Sequence, residues 1–377
     1  MCIHPIGWGK PIEAIFPMEI CGWKDKMLAS GKQVSIVRRF FFEKLGIKPN
    51  YNSRHKLAVL FQLLLYMFGN KMSAEEASSQ LKITLPDALV ASADTLLGRL
   101  NETNEHAIQK AFDSCTRRLT KALAKEKCMV SIDYHDIPYY GDKNDLHVRG
   151  TINQRGTNYC HQYATLEISD GEHRLTLAVK PLLVSDDEKA LVIKELITIA
   201  RKHIQIGIIL LDRGFYNTAC IRMLKELRFL FIMPVVKDPL MKRIMKENST
   251  SIPCTLPYTI GGKNGETFNL ALKWLEKKDA PPEVAGFATN TNKTVEEISA
   301  LYSKRWSIET GYRSKKCFRA RTTTTSNVVR SLYFFFECLL YNAWYMTRAT
   351  VRVTIATFKR IIEHTSLTSN MPFEGVT

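Results

Sequence analysis

The sequence predicts an α/β protein: a mixed sheet flanked by helices, with an all-helical N-terminal domain before it and a mainly β insertion within it. Three observations carry this expectation. Apolar residues recur at helical spacing from about residue 31 to 125, and at Cys128 the period changes to that of strands. A β-β-β-α order then leads into IQIGIILLD, an unbroken apolar run that reads as a strand covered on both faces. The expected divisions are a helical domain over 1–125, an α/β domain over 126–350 carrying a β-rich insertion at 238–284, and a tail over 351–377.

In chain order, residues 1–30 mix Pro, Gly and Trp without periodicity. QVSIVRRFFFEKLG and HKLAVLFQLLLYMFG read as helices, and Ser73 with Glu76 forms a capping box that opens another. Pro86 and the polar SAD at 92–94 interrupt the pattern before TLLGRL, and EHAIQKAFDSCTRRLTKALAKE is a last amphipathic helix. The segment 73–100 fits a helix-turn-helix unit and equally an all-helical packing module. CMVSID then reads as a buried strand ending on Asp133, followed by a loop, YHDIPYYGDKND.

YCHQYATLEIS and HRLTLAVKPLL read as a hairpin about DGEH, with His161 and Tyr163 among apolar neighbours, and DDEKALVIKELITIARKH as a helix. The apolar run that follows ends on Asp212, Arg213 and Gly214; charged groups at the end of a central strand are costly unless they have a task. YNTACIRMLKELR and FLFIMPVVK continue as helix and strand. Short β-like pieces such as TFNLALKWLE, which contains Trp274, fill the insertion before GFATN restores a strand. Thr294 and Glu297 form a capping box for a long helix through 302–316, and an apolar helix covers 328–350.

A formal net charge of +16 points to a polyanionic partner, because such a field raises the local concentration of nucleic acid. Membranes are anionic too, but LAVLFQLLLYMF is too short to span a bilayer and SLYFFFECLLYNAWYM contains Glu337 and Asn342, so both read as buried helices. The N-terminus shows no export signal, and nine scattered cysteines without a C-x-x-C pair argue against a disulfide framework or zinc ribbon and for a reducing cytoplasm. The histidines show no ligand spacing either. A bound metal should therefore be held by carboxylates, which favours magnesium or manganese.

The most informative stretch is YSKRWSIETGYRSKK, residues 302–316. At about 100° per residue, Tyr302, Arg305, Glu309 and Lys316 share a roughly 60° arc of one helix. A carboxylate beside an arginine and a lysine can hold a cation while its neighbours grip phosphate, although such a face is also what a solvated helix presents. Between Lys304 and Arg321 seven basic residues (Lys304, Arg305, Arg313, Lys315, Lys316, Arg319, Arg321) stand against one acid, a composition expected to face phosphate.

The spacing Y-x2-R-x3-E-x6-K resembles the signature of prokaryotic insertion-sequence transposases of the DDE type, and DRGFY at 212–216 resembles the motif around that family's second aspartate. The resemblance implies a ribonuclease H-like domain in which Asp133, Asp212 and Glu309 are the catalytic and metal-binding carboxylates. Asp136 stays open as an alternative first aspartate, with His135 as a neighbour of the scissile phosphate. Two Mg2+ ions, replaceable by Mn2+, would be the cofactors. Tyr302, Arg305 and Lys316, with the adjacent Arg213 and Arg313, would contact DNA. The implied partners are double-stranded DNA, as terminal inverted repeats and as target, and a second copy forming a homodimer on two DNA ends, with no membrane involved. The implied location is the prokaryotic cytoplasm at the nucleoid. The family sometimes uses a tryptophan in this interval to stack on a displaced base, and Trp274 is the one available there, although an aromatic in a small sheet is more often core. Rival readings are a catalytically silent DNA-binding descendant and a general ribonuclease H-like nuclease.

Overall fold

The computed structural model describes residues 22–47, 56–154, 156–170, 174–277 and 280–368. They divide into two compact units, one formed by the described residues of 125–309 and the other by those of 22–124 together with 310–368.

The helical unit contains α1 (Trp23–Leu45), α2 (Leu57–Asn70), α3 (Ala74–Thr84), α4 (Ala93–Asn101), α5 (Glu105–Leu119), α11 (Asn327–Val351) and α12 (Ile355–Thr368). Capping sets several starts: Ser73, Ser92, Asn104 and Ser326 each accept an amide of the first turn. The capping box at Ser73 and Glu76 opens α3. α2 is buried from Leu60 to Gly69 and packs on α12, and a Cβ at Gly69 would lie 2.8 Å from Ile362 Cγ2. α11 packs against α1, α4 and α5, with Phe335 edge-on to Phe112. The acid in this apolar helix is accounted for: Glu337, 2% exposed, accepts Arg319 Nε and Nη2 at 2.7 and 2.9 Å. Residues 351–377 were expected as a tail, yet they include α12, whose Phe358, Ile361 and Ile362 are buried. No single helix among the described residues is long and apolar enough to cross a membrane.

The sheet unit contains β1 (Lys127–Pro138), β2 (Val148–Gln154), β3 (Thr157–Ile168), β4 (Thr176–Pro181), α6 (Lys189–Ala200), β5 (Gln205–Leu211), α7 (Thr218–Glu226), β6 (Leu230–Pro234), α8 (Pro239–Glu247), β7 (Cys254–Ile260), β8 (Glu266–Lys277), β9 (Ala280–Thr289) and α9 (Val295–Ser303). Among the described residues these strands form one nine-stranded mixed sheet in the order β2-β3-β1-β5-β6-β9-β8-β7, with β4 beside the second half of β3. β1, β5 and β6 are mutually parallel, and β3 and β9 run against them. This is a ribonuclease H-like arrangement of a mixed sheet and flanking helices. The strands of 238–284 do not stand apart as a small sheet: through β9 and β6 they extend the main one.

Two boundaries differ from the sequence reading. β1 does not stop at Asp133 but continues to Pro138, because β3 pairs with it from Val130↔Ile168 to Pro138↔Cys160. The helix through 302–316 is not continuous: α9 ends at Ser303 and α10 (Trp306–Lys315) begins after a turn. At the break the amides of Lys304, Arg305, Ser307 and Ile308 each bond three residues back, a 3₁₀-type tightening. The division between the two units falls after Glu309, within α10.

Candidate active site

The parity of two parallel strands builds the site. Side chains alternate along a strand, so Met129, Ser131 and Asp133 share one face of β1, and Ile208, Leu210 and Asp212 share one face at β5. β1 and β5 are in register through Ser131↔Leu210 and Ile132↔Leu211, so the next residues, Asp133 and Asp212, are neighbours. β5 ends at Leu211 and the chain turns into a short 3₁₀ segment at Arg213–Phe215. Asp133 thus lies mid-strand in β1 but where its parallel neighbour stops, which opens that flank.

α9 covers the same face. Val295, Ile298 and Leu301 bury against Met129, Ile208, Leu210, Ile232, Ala271 and Phe287, with Tyr302 packed on the margin. The Thr294–Glu297 capping box fixes the start of this helix. Its packing and the tight turn after Ser303 deliver Arg305 to the two aspartates. Arg305 Nη1 lies 3.6 Å from Asp133 Oδ2, and Nη2 lies 4.0 Å from Asp212 Oδ1 and 3.0 Å from Glu309 Oε1. Its Nε is buried and has no hydrogen-bond acceptor among the described residues. Three carboxylates from three distant segments therefore surround one guanidinium whose side chain is 13% exposed.

The electrostatics follow from that crowding. Burial is the largest influence on Asp133 and pushes its carboxyl up to about 6; Arg305 and the Tyr134 amide pull it down, while Asp212 and Glu167 push it up. Burial alone would weaken the hold of Arg305 on its proton, but Tyr302, Asp133, Asp212 and Glu309 outweigh it and the net shift is upward. The Tyr302 phenol is pushed up chiefly by burial. Its ring lies 5.2 Å from that of Phe287 and 5.7 Å from the Arg305 guanidinium carbon.

Asp133, Asp212, Arg305 and Glu309 are thus brought together, with Tyr302 beside them. Arg213 is exposed in the turn next to Asp212. Arg313 and Lys316 are exposed in the helical unit. Other basic residues of this stretch are committed elsewhere: Lys315 is fully buried near the Tyr312 and Tyr341 rings, Arg319 holds Glu337, and Arg321 holds Glu76 at 2.7 Å. The open alternative, Asp136, lies on the other face, where Thr151 Oγ1 and Gln162 Nε2 donate to it at 2.5 and 2.8 Å. His135 and His161 are buried, the latter edge-on to Tyr139 at 4.6 Å. Trp274 is 42% exposed on β8.

Sequence reading missed Glu167. It sits on β3 opposite Ser131, 1% exposed, with the Thr165 and Thr176 hydroxyls donating at 3.4 Å, on the face that carries Asp133. The signal was an acid inside the otherwise buried YATLEIS strand.

A family model described as a transposase DDE domain matches residues 125–343, more than half of the chain. The chain belongs to this transposase family. No curated protein sequence matches it. Among solved structures, the transposase resembles one described as a cryo-EM structure of the piggyBac transposase synaptic complex with hairpin DNA. The TM-score is 0.59 at 13% identity, covering 97% of this chain and 81% of that one, a likeness of fold.

The oxygen donors of the site suit a hard divalent cation, and the carboxylates already surround a cation, the Arg305 guanidinium. They ring that group and are not drawn into a closed ligand shell: among the described residues, no three His, Cys, Asp or Glu side chains are close enough to enclose an ion.

Proposed function

We propose that this transposase cleaves DNA at the ends of a prokaryotic insertion sequence and joins those ends to target DNA by a cut-and-paste route. The observation that carries the reading is the convergence of Asp133, Asp212 and Glu309 within 4.0 Å of a single guanidinium. Those three residues would hold two Mg2+ ions, with Mn2+ able to substitute. Bound ions would lower the barrier to in-line attack on a phosphodiester by favouring an ionised attacking oxygen and offsetting charge on the leaving one.

The chain's own groups supply the rest. The two aspartates, anchored by neighbouring strands, give a rigid base, and Glu309 adds a third carboxylate from a helix. Arg305 can form paired hydrogen bonds to phosphate, and Tyr302 keeps its proton far above neutral pH and so can donate a hydrogen bond to the backbone. Arg213, Arg313 and Lys316, exposed and cationic, would grip the duplex. The net charge of +16 supports a polyanionic partner, here proposed to be double-stranded DNA, both terminal repeats and target. The protein of like fold was solved in a synaptic complex with hairpin DNA, which supports DNA as the partner; a homodimer acting on two DNA ends is part of the same proposal. The place of action would be the cytoplasm at the nucleoid.

The test is a nicking and joining assay with the DNA that flanks this reading frame. Mg2+-dependent nicks at the repeat ends, followed by joined products, are expected. Nicking without joining would reduce the reading to a nuclease, and binding without either would reduce it to a DNA-binding descendant.

A further inference from the structure

Arg305 is in an unusual position for a residue that would grip DNA. Its guanidinium lies inward among Asp133, Asp212 and Glu309, with Nε buried and without an acceptor. A buried cation is stable only when paired, and here the pairing groups are the same carboxylates that a divalent ion would need. Among the described residues the acids converge on the guanidinium and form no closed ligand shell of their own.

We propose that Arg305 is the resident counter-ion of the acidic cluster, so that a divalent ion must displace it and a DNA phosphate receives it once displaced. This rests on the metal-binding reading of the three carboxylates. Competition for one set of oxygens makes ion entry and guanidinium departure a single exchange. A phosphate that accepts the freed guanidinium pulls the exchange forward, so DNA tightens ion binding and, by linkage, the ion tightens DNA binding to the same factor. The device keeps the site poorly metallated until DNA arrives.

The experiment measures Mn2+ binding by electron paramagnetic resonance, at fixed pH, on the full chain, with and without a short duplex. Wild-type protein alone should bind Mn2+ weakly and gain about tenfold in affinity on adding duplex. Arg305→Met alone should bind at least about tenfold more tightly than wild type and gain little from duplex. Asp212→Asn should lose binding in every condition. If Arg305→Met binds no more tightly than wild type while Asp212→Asn loses the ion, the exchange is overturned and the carboxylate reading stands. If Asp212→Asn binds as wild type does, the carboxylate reading falls and takes the exchange with it. A measurement that needs no variant is labelling of the wild-type protein with an arginine-directed dicarbonyl, read by mass spectrometry. Labelling at Arg305 should rise when Mn2+ is added without DNA, and unchanged labelling under saturating Mn2+ overturns the proposal.

Discussion

Asp133 and Asp212 are neighbours across two parallel strands with unlike surroundings, the first side chain 22% exposed and the second 46%. For Asp133 the rise from 3.8 to about 6 means that its ionised form costs the folded state up to about 3 kcal/mol, at about 1.4 kcal/mol per pH unit. The sign is fixed by proton uptake: between those pH values the folded chain keeps a proton that the unfolded chain releases. Stability should therefore fall as pH rises through this window, with no such cost below 3.8 and the full cost above about 6. Asp133→Asn, which mimics the neutral form, should raise the melting temperature of the metal-free protein at pH 8 by a few degrees and leave it nearly unchanged at pH 4. Calorimetry at the two pH values checks this; equal shifts at both would remove the electrostatic explanation. At Asp212, replacement by Asn should lower cleavage by about a thousandfold or more while DNA binding stays within about threefold, as gel shift and nicking assays would report.

At the level of elements, the start of α9 governs where Arg305 is presented. Thr294 Oγ1 accepts the Glu297 amide at 3.2 Å, and the Glu297 carboxylate accepts the Thr294 amide at 2.9 Å. Thr294→Ala should cost about 1 kcal/mol in urea unfolding. In the helical unit the consequence is larger: Arg319→Ala strands the Glu337 carboxylate, 2% exposed, and should destabilise by about 3–5 kcal/mol, whereas Glu337→Gln with Arg319 kept should cost less. The strands and helices with strong periodicity were legible from residues alone, above all β5, whose unbroken apolar run states that both faces are covered. β2 was not, because VRGTINQ has only two large apolar side chains, one of them the exposed Ile152, and the strand is held by β3. The extent of β1 past Asp133 was hidden for the same reason, since pairing with β3 overrides the Pro and Gly turn signals around it. The break at Lys304–Arg305 escaped too, because an ideal 3.6-residue helix and a tightened turn carry the same apolar positions. Spacing singled out Tyr302, Arg305 and Glu309 as candidates, yet it could not say that the guanidinium points inward, which depends on where α9 docks.

For the molecule as a whole, a charge of +16 makes ionic strength a direct probe of the interface. Duplex affinity should fall about a thousandfold or more between 50 and 200 mM salt if six or more phosphates are contacted. Arg313→Ala and Lys316→Ala should each reduce the salt slope by about 1 in a fluorescence titration, while a change at the buried Lys315 should act through folding and leave the slope alone. The two aspartates, though far apart along the chain, are spaced by the hydrogen-bond ladder between β1 and β5, about 4.8 Å per strand. That ladder serves as a ruler indifferent to whatever is threaded between its rungs. Length changes in the connections outside the ladder leave the ruler unmarked, but deleting one residue from Cys128–Ile132 would turn Asp133 to the far side of the sheet.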